Sequence, residues 1–482
     1  MKRYIFILMA SLVSFLAFAE AGKSTVITYP APASEKVFTK YSVSVNGKPV
    51  DIYKASSPMF FGGEYYFCYF DFEGEINVKV KSANGFCQKL NYTNINPKDL
   101  EKAAKTLTSE VYPTSNLLKV ERTPTEVNIK ANKPFQTIVM RDGIDMPLLI
   151  FGNPLEKNPP KKGDSNVIYF DAGVHCPEGK IELKDNQTLY IAGGAVVKAP
   201  VHAKGKNIKV MGRGIISTER QQRETITCFA FNGCQNLKIE GVIIKEPSWW
   251  TFILSNCFNV KVNNIKICGS RILNDDAIDI VNSVNVSIKN TFARAQDDII
   301  AIKGMGGKNP VENIYIENCI FWTDCANIFR IGYESEAPYF KNIKCKNIYV
   351  PFYAMYKKPT ETWSHAIVWI QPSNGLSINN VEINGLYIRS NGGDMPLLIA
   401  NPRKSYYAKT FGRADGCKIK NVFVTGKKGK FRGEVWIAGR SPEHTIKNVS
   451  VENAVYFGKK KTADDKDVFV GGFTENINVF KK

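Results

Sequence analysis

Two short segments of this 482-residue chain concentrate carboxylates in a pattern suited to acid–base chemistry. One reads Asn274-Asp275-Asp276-Ala277-Ile278-Asp279-Ile280, and the other Gln296-Asp297-Asp298-Ile299-Ile300-Ala301-Ile302-Lys303-Gly304. With the apolar runs Ala277–Ile280 and Ile299–Ile302 laid side by side, Asp276 and Asp298 fall in one row and Asp297 sits one residue before it. Like charges this close raise one another's pKa, so at least one proton tends to be held near neutral pH. Cleavage of a glycosidic bond needs that combination. One carboxylic acid protonates the leaving oxygen while another carboxylate activates water or attacks. Clustered Asp residues also hold calcium or magnesium or stabilise turns, and residue type and spacing alone leave both alternatives open.

The two segments meet only if the chain brings successive strands side by side in parallel. A repeat beyond residue 165 predicts that it does. Asparagine followed by an apolar residue and alternation recurs at Asn236-Leu237, Asn259-Val260, Asn285-Val286, Asn313-Ile314 and Asn342-Ile343, at intervals of 23, 26, 28 and 29 residues. Later copies begin at Asn380, Asn421 and Asn448. This is the period of a solenoid, whereas a propeller blade needs about 40 residues or more. Helical signals between the asparagines are nearly absent, so each unit reads as one coil of strands and tight turns over 166–482. Coils stack at about 4.8 Å, and an Asn at the same turn of each can bond to its neighbour's amide in a ladder. Asp279, three residues after Asp276, is expected to face away from the carboxylate row, and Asp275 to serve the turn.

Ahead of the solenoid, 24–150 shows short alternating strands. Tyr41–Val45 leads into an Asn46-Gly47 hairpin turn, and Tyr65–Phe72 and Ile76–Val80 follow, which predicts an antiparallel β-sandwich. The proline-rich, polar stretch 151–165 reads as a linker. Met1-Lys2-Arg3, an apolar run to Phe18 and Ala17, Ala19 and Ala21 describe a cleavable secretory signal over 1–21. No later segment approaches about 20 apolar residues, and no cysteine follows the expected cleavage site. The chain is therefore expected to be secreted or periplasmic without a membrane anchor. The net charge of +19 is spread mostly as single lysines, with few clusters such as Lys459-Lys460-Lys461, which describes a solvated basic surface first, help with an acidic glycan second and a nucleic-acid partner last. The eleven cysteines show no CxxC or zinc spacing, and several lie within repeat units, as stacked buried thiols would. No cofactor or metal is expected, and the oligomeric state stays open.

The N-x-D of 274–276, followed one coil later by Asp297-Asp298, Ala301 and a nearby glycine, closely resembles the signature of glycoside hydrolase family 28, the polygalacturonase family. The glycine is displaced, since Gly304 comes one position early and Met305 takes its place. The order of sandwich then solenoid also resembles family 49, that of dextranase and isopullulanase. The resemblance implies a right-handed parallel β-helix of the pectin-lyase type and an inverting glycosidase, with Asp297 as general acid and Asp276 and Asp298 holding the attacking water. A polysaccharide or oligosaccharide is the implied substrate. Two departures narrow it: Asn327 stands near the place of the family's Gly-His-Gly histidine, and Ser364–Gln371 has no counterpart of the Arg-x-Lys pair that grips galacturonate. Around these acids, Trp250 and Trp369, with Trp249 and Trp322, suit stacking on sugar rings, and core packing is the competing role. Arg330 suits a sugar hydroxyl, an anionic substituent or pairing with Asp298. Lys303 and Glu334 complete the expected substrate-binding set. A β-helix polysaccharide lyase and a non-catalytic glycan-binding β-helix are the alternative functions.

Overall fold

The computed structural model describes residues 24–37, 39–58, 63–82, 109–114, 117–141, 145–354, 365–391, 393–404, 408–428, 431–463 and 465–481, and every regular element among them is a strand. The expected signal segment 1–21 lies outside the described residues.

Two facing sheets form the N-terminal sandwich. One follows the order Thr25–Thr28, Gly63–Glu73, Asp145–Pro154, Phe135–Arg141, Ser109–Tyr112, and the other Lys48–Val50, Tyr41–Val45, Ile76–Ser82, Glu126–Ala131, Leu118–Arg122. Asn46 and Gly47 both have positive φ, 48° and 80°, as a two-residue hairpin turn requires. Asp145–Pro154 pairs in parallel with Gly63–Glu73, because the chain crosses to the second sheet between them, so the sandwich is not wholly antiparallel. The same strand runs into the stretch read as a linker, with Pro154 opposite Phe72.

Gly63–Glu73 is buried on both faces. Tyr66, Cys68 and Phe70 meet the second sheet, while Tyr65, Phe67 and Tyr69 pack with Ile243, Cys268, Phe292 and Trp322 of the C-terminal domain. Trp322, fully buried in this seam, is therefore a packing residue and not part of a sugar groove. Polar ties cross the seam too: Arg213 Nε donates to Asp71 at 2.8 Å, and Lys245 Nζ to Glu35 at 2.8 Å.

From Val167 onward the chain winds as a right-handed parallel β-helix. Each coil adds a strand to an 11-stranded sheet that follows chain order from Ile181–Leu183 to Val468–Val470. Phe252, Ile278, Ile300, Phe329 and Val368 stack inward in one column, and Leu254, Ile280, Ile302, Ile331 and Ile370 in a second. All are buried in one core. The asparagine ladder forms at the turns: Asn207 Nδ2 donates to Asn186, Asn236 to Asn207 and Asn259 to Asn236 at 2.9, 3.0 and 2.7 Å. These asparagines all have positive φ, between 54° and 63°. Left-handed backbone costs most residues about 1–2 kcal/mol and asparagine least among those with a side chain, which explains why the repeat selects this residue.

Candidate active site

Sheet register decides which side chains meet. Phe252 pairs with Ile278, Ile278 with Ile300, Ile300 with Phe329, and Phe329 with Val368. Two residues earlier on each coil, Trp250, Asp276, Asp298, Asn327 and Ala366 therefore form one row. The N–H groups of Thr251, Ala277 and Ile299 extend the ladder by donating to the carbonyls of Asp276, Asp298 and Asn327 at 2.8, 2.8 and 3.0 Å. A second outward row lies between the two inward columns and contains Asp279, Ala301, Arg330 and Trp369.

The turn bearing Asp297 is held from below. Asp275 Oδ1 accepts the N–H groups of Gln296 and Asp297 at 2.8 and 3.0 Å, so Asp275 does serve a turn, that of the next coil. Gln296 Nε2 donates to Asp324 at 2.7 Å, and Asp324 in turn binds Arg294 at the domain seam. Among the described residues, Asp297 itself accepts only the Asp298 N–H, at 2.9 Å. It keeps part of its surface open, whereas Asp276 and Asp298 are buried.

Each of those two buried carboxylates has its own cation. Lys303 Nζ lies 2.7 Å from Asp276, and Arg330 3.4 Å from Asp298. Asp298 Oδ1 also accepts the backbone N–H of Asn327 at 3.0 Å and its Nδ2 at 2.6 Å. Asn327 Oδ1 accepts the Ala366 N–H at 2.8 Å, which fixes the amide between two coils. Among the described residues no cation pairs with Asp297. Burial first, then the charges of Asp276 and Asp298, raise the Asp297 carboxyl well above the usual carboxylate range, with Arg330 opposing. The arrangement places Asp297, a carboxyl without a paired cation, beside two cation-paired carboxylates.

Asp279 corrects the sequence reading. It is fully buried yet faces the carboxylate side, with Lys303 Nζ 3.0 Å away. Asp276 lies in the turn before strand Ile278–Val281, so strand alternation does not carry across from one Asp to the other. Burial raises the Asp279 carboxyl well above its usual range, against the pull of Lys303.

The other expected substrate contacts divide. Lys303, 4% exposed, is taken up by its two carboxylates. The Trp250 ring covers it, with Nζ 3.9 Å from the ring centroid. Trp250 is half-buried, and its Nε1 donates to Asn274 Oδ1 at 2.8 Å. Trp369, 2% exposed, packs with Ala366, Ile399 and Trp436 and lies between the guanidinium groups of Arg330 and Arg403, 5.8 and 5.4 Å from its centroid. Its indole is a support for Arg330, not an open sugar platform. Arg330 also stacks on Tyr333 at 3.6 Å and donates from Nε to Gln371 at 3.1 Å. Glu334 is half-buried, and its charge acts on Arg330. Sequence reasoning missed Asp279, Tyr333 and Gln371. Only the pairing register could have revealed Asp279, and a turn and a later coil supply the other two.

The model of the family described as glycosyl hydrolases family 28 matches residues 176–325. The matched stretch contains Asp276, Asp297 and Asp298 and stops short of Asn327 and Arg330. Rhamnogalacturonase A of Aspergillus niger is 19% identical over 286 residues, 55% of this chain, and the chain spans 58% of that protein's length. The structure is similar to Dex49A from Penicillium minioluteum, with a TM-score of 0.66 and 13% identity over 94% of this chain and 96% of that one. It is also similar to a hyperthermoactive exopolygalacturonase from Thermotoga maritima, with a TM-score of 0.50 and 15% identity over 65% and 84% of the two chains. At such identities the structural likeness is one of fold. The chain thus carries, over residues 176–325, the sequence pattern of glycosyl hydrolases family 28, on a two-domain β-sandwich and β-helix similar to Dex49A.

Proposed function

We propose that the protein is an inverting glycoside hydrolase acting on a polysaccharide or oligosaccharide. Asp297 protonates the departing glycosidic oxygen, and Asp276 and Asp298 together hold and deprotonate the attacking water. The observation that carries this reading is the unequal share of positive charge. Asp276 and Asp298 have Lys303 and Arg330 within 3.4 Å, while Asp297 has neither and holds its proton to higher pH. An acid and a base set apart by their surroundings are what a single displacement uses. The family match over the same three residues supports it.

Arg330 is already committed to Asp298 and Gln371, and residues 364–371 contain no Arg or Lys. This supports a substrate other than simple polygalacturonate. The basic, apolar N-terminus of the sequence supports export to the periplasm or medium. Proton NMR of the products, followed from the first minutes of turnover on a panel of polysaccharides, tests the mechanism. The expected product carries the anomeric configuration opposite to the bond cleaved. A retained configuration rejects the single displacement, and an unsaturated product means a lyase.

A further inference from the structure

The lysine beneath the carboxylate row does not reach the surface. Lys303 Nζ sits between Asp276 Oδ2 and Asp279 Oδ1, at 2.7 and 3.0 Å, with the Trp250 ring 3.9 Å above it. The lysine is 4% exposed, Asp276 3% and Asp279 not at all. Neither Asp279 oxygen has a well-formed hydrogen bond. Such an arrangement is costly unless the charges are matched, because each buried ion gives up its hydration.

The balance of charge around Lys303 is uneven. Asp276 and Asp279 touch it from the preceding coil and Asp298 acts from its own coil. On the far side of Asp276, Asp297 faces Asp275 and Asp298, with Arg330 the opposing cation. Five carboxyls therefore share two cations, and the site must hold protons. Their location depends on the cations. Arg330 serves Asp298, and Lys303 is the cation in contact with Asp276 among the described residues.

We infer that Lys303 is a positioning residue: clamped between Asp276 and Asp279 beneath Trp250, it keeps Asp276 available as the base and leaves the transferable proton on Asp297. This rests on the hydrolase reading for its catalytic consequence, though not for its electrostatic one. Burial works against the lysine's charge, and Asp276 and Asp279 outweigh that, so the ammonium stays protonated.

Lys303→Met tests both consequences. The first needs no substrate. Without the cation, the carboxyls left in the site bind protons more tightly folded than unfolded, so the variant's stability is fullest at low pH and falls as pH rises. Its melting temperature, measured against the wild type from pH 4.5 to 8, is expected to show a deficit that widens with pH, while Lys303→Arg shows a flat one. A Met deficit of the same size at every pH means that Lys303 only fills space and overturns the inference. Should the Met variant not fold at any pH, Lys303→Met with Asp279→Asn carries the same comparison, since Asp276 still lacks its cation. The second consequence is kinetic. On a cleaved glycan, the acidic limb of kcat should move up by about one pH unit, so that kcat falls by up to about tenfold below that limb with KM nearly unchanged. An unmoved limb overturns the inference. A wild-type protein that cleaves no glycan, with the widening deficit still present, rejects the hydrolase reading and leaves the electrostatic role intact.

Discussion

Asp276 and Asp298 occupy equivalent positions on adjacent coils, joined through the Ala277 N–H bond to the Asp298 carbonyl at 2.8 Å, yet they are supported by different partners. Lys303 reaches the first from its own sheet's next strand. Arg330 and Asn327 reach the second from the coil after. Each of these carboxylates thus draws its cation from the coil that follows it, and Asp297, one residue off the row, is left without one among the described residues.

The asparagine beside Asp298 is the easiest part of that support to remove. In Asn327→Leu, Asp298 loses its 2.6 Å side-chain donor and the Ala366 N–H loses its acceptor. Both groups are buried, and each orphaned polar group costs about 1–3 kcal/mol. Urea unfolding should show a loss in that range, and kcat should fall about 10- to 100-fold with KM little changed. An unaltered kcat would show that Asp298 needs no positioning.

Removing Arg330 should move the pH profile. Arg330 is the cation that opposes the raised Asp297 pKa. Asp297 must be protonated to act as an acid, so activity is present below its pKa and is lost as pH rises through it. In Arg330→Met the alkaline limb of kcat/KM should therefore move to higher pH, beyond a wild-type limb that already lies above the usual carboxylate range. A limb that moves down, or stays, contradicts the assignment of the acid.

The seam between the domains depends on a buried pair. Asp71 is fully buried and Arg213 is 4% exposed, and the guanidinium bonds both Asp71 oxygens at 2.8 and 2.9 Å. Arg213→Met leaves Asp71 uncompensated and should cost about 3–5 kcal/mol, while the double change Asp71→Leu with Arg213→Met should cost less. Equilibrium unfolding in urea gives both values. A smaller loss in the single variant than in the double one refutes this role.

The asparagine ladder separates hydrogen bonding from backbone strain. Asn236 donates to Asn207, accepts from Asn259 and has φ of 54°. Asn236→Ala loses the bonds and strains the backbone, whereas Asn236→Gly loses only the bonds. The alanine variant should be less stable than the glycine variant by about 1 kcal/mol, measured by urea midpoints at a shared slope. Equal losses would remove strain as the reason for asparagine.

Some of this was readable from residue order alone. The Asn repeat announced the β-helix because a stacked coil repeats its turn chemistry at a fixed interval, and the Asp276–Asp298 alignment followed from matching apolar runs. The left-handed backbone under the asparagines was the missing half of that argument. Asp279 was misplaced because period-two alternation holds within a strand and not across the turn that carries Asp276. Trp322 and Trp369 were read toward sugar because residue type does not show which face of a coil meets the sandwich, or that two arginines bracket an indole. The parallel strand Asp145–Pro154 was hidden for a related reason, since pairing direction depends on the path between strands and not on their composition.

The measurement that bears most directly on the account is the release of reducing ends from a panel of polysaccharides by the wild type and by Asp297→Asn, with binding to the same glycans followed in parallel. The account predicts cleavage by the wild type and a loss of about 100- to 10,000-fold in kcat for the variant, with glycan affinity largely kept. Undiminished cleavage by Asp297→Asn would contradict it.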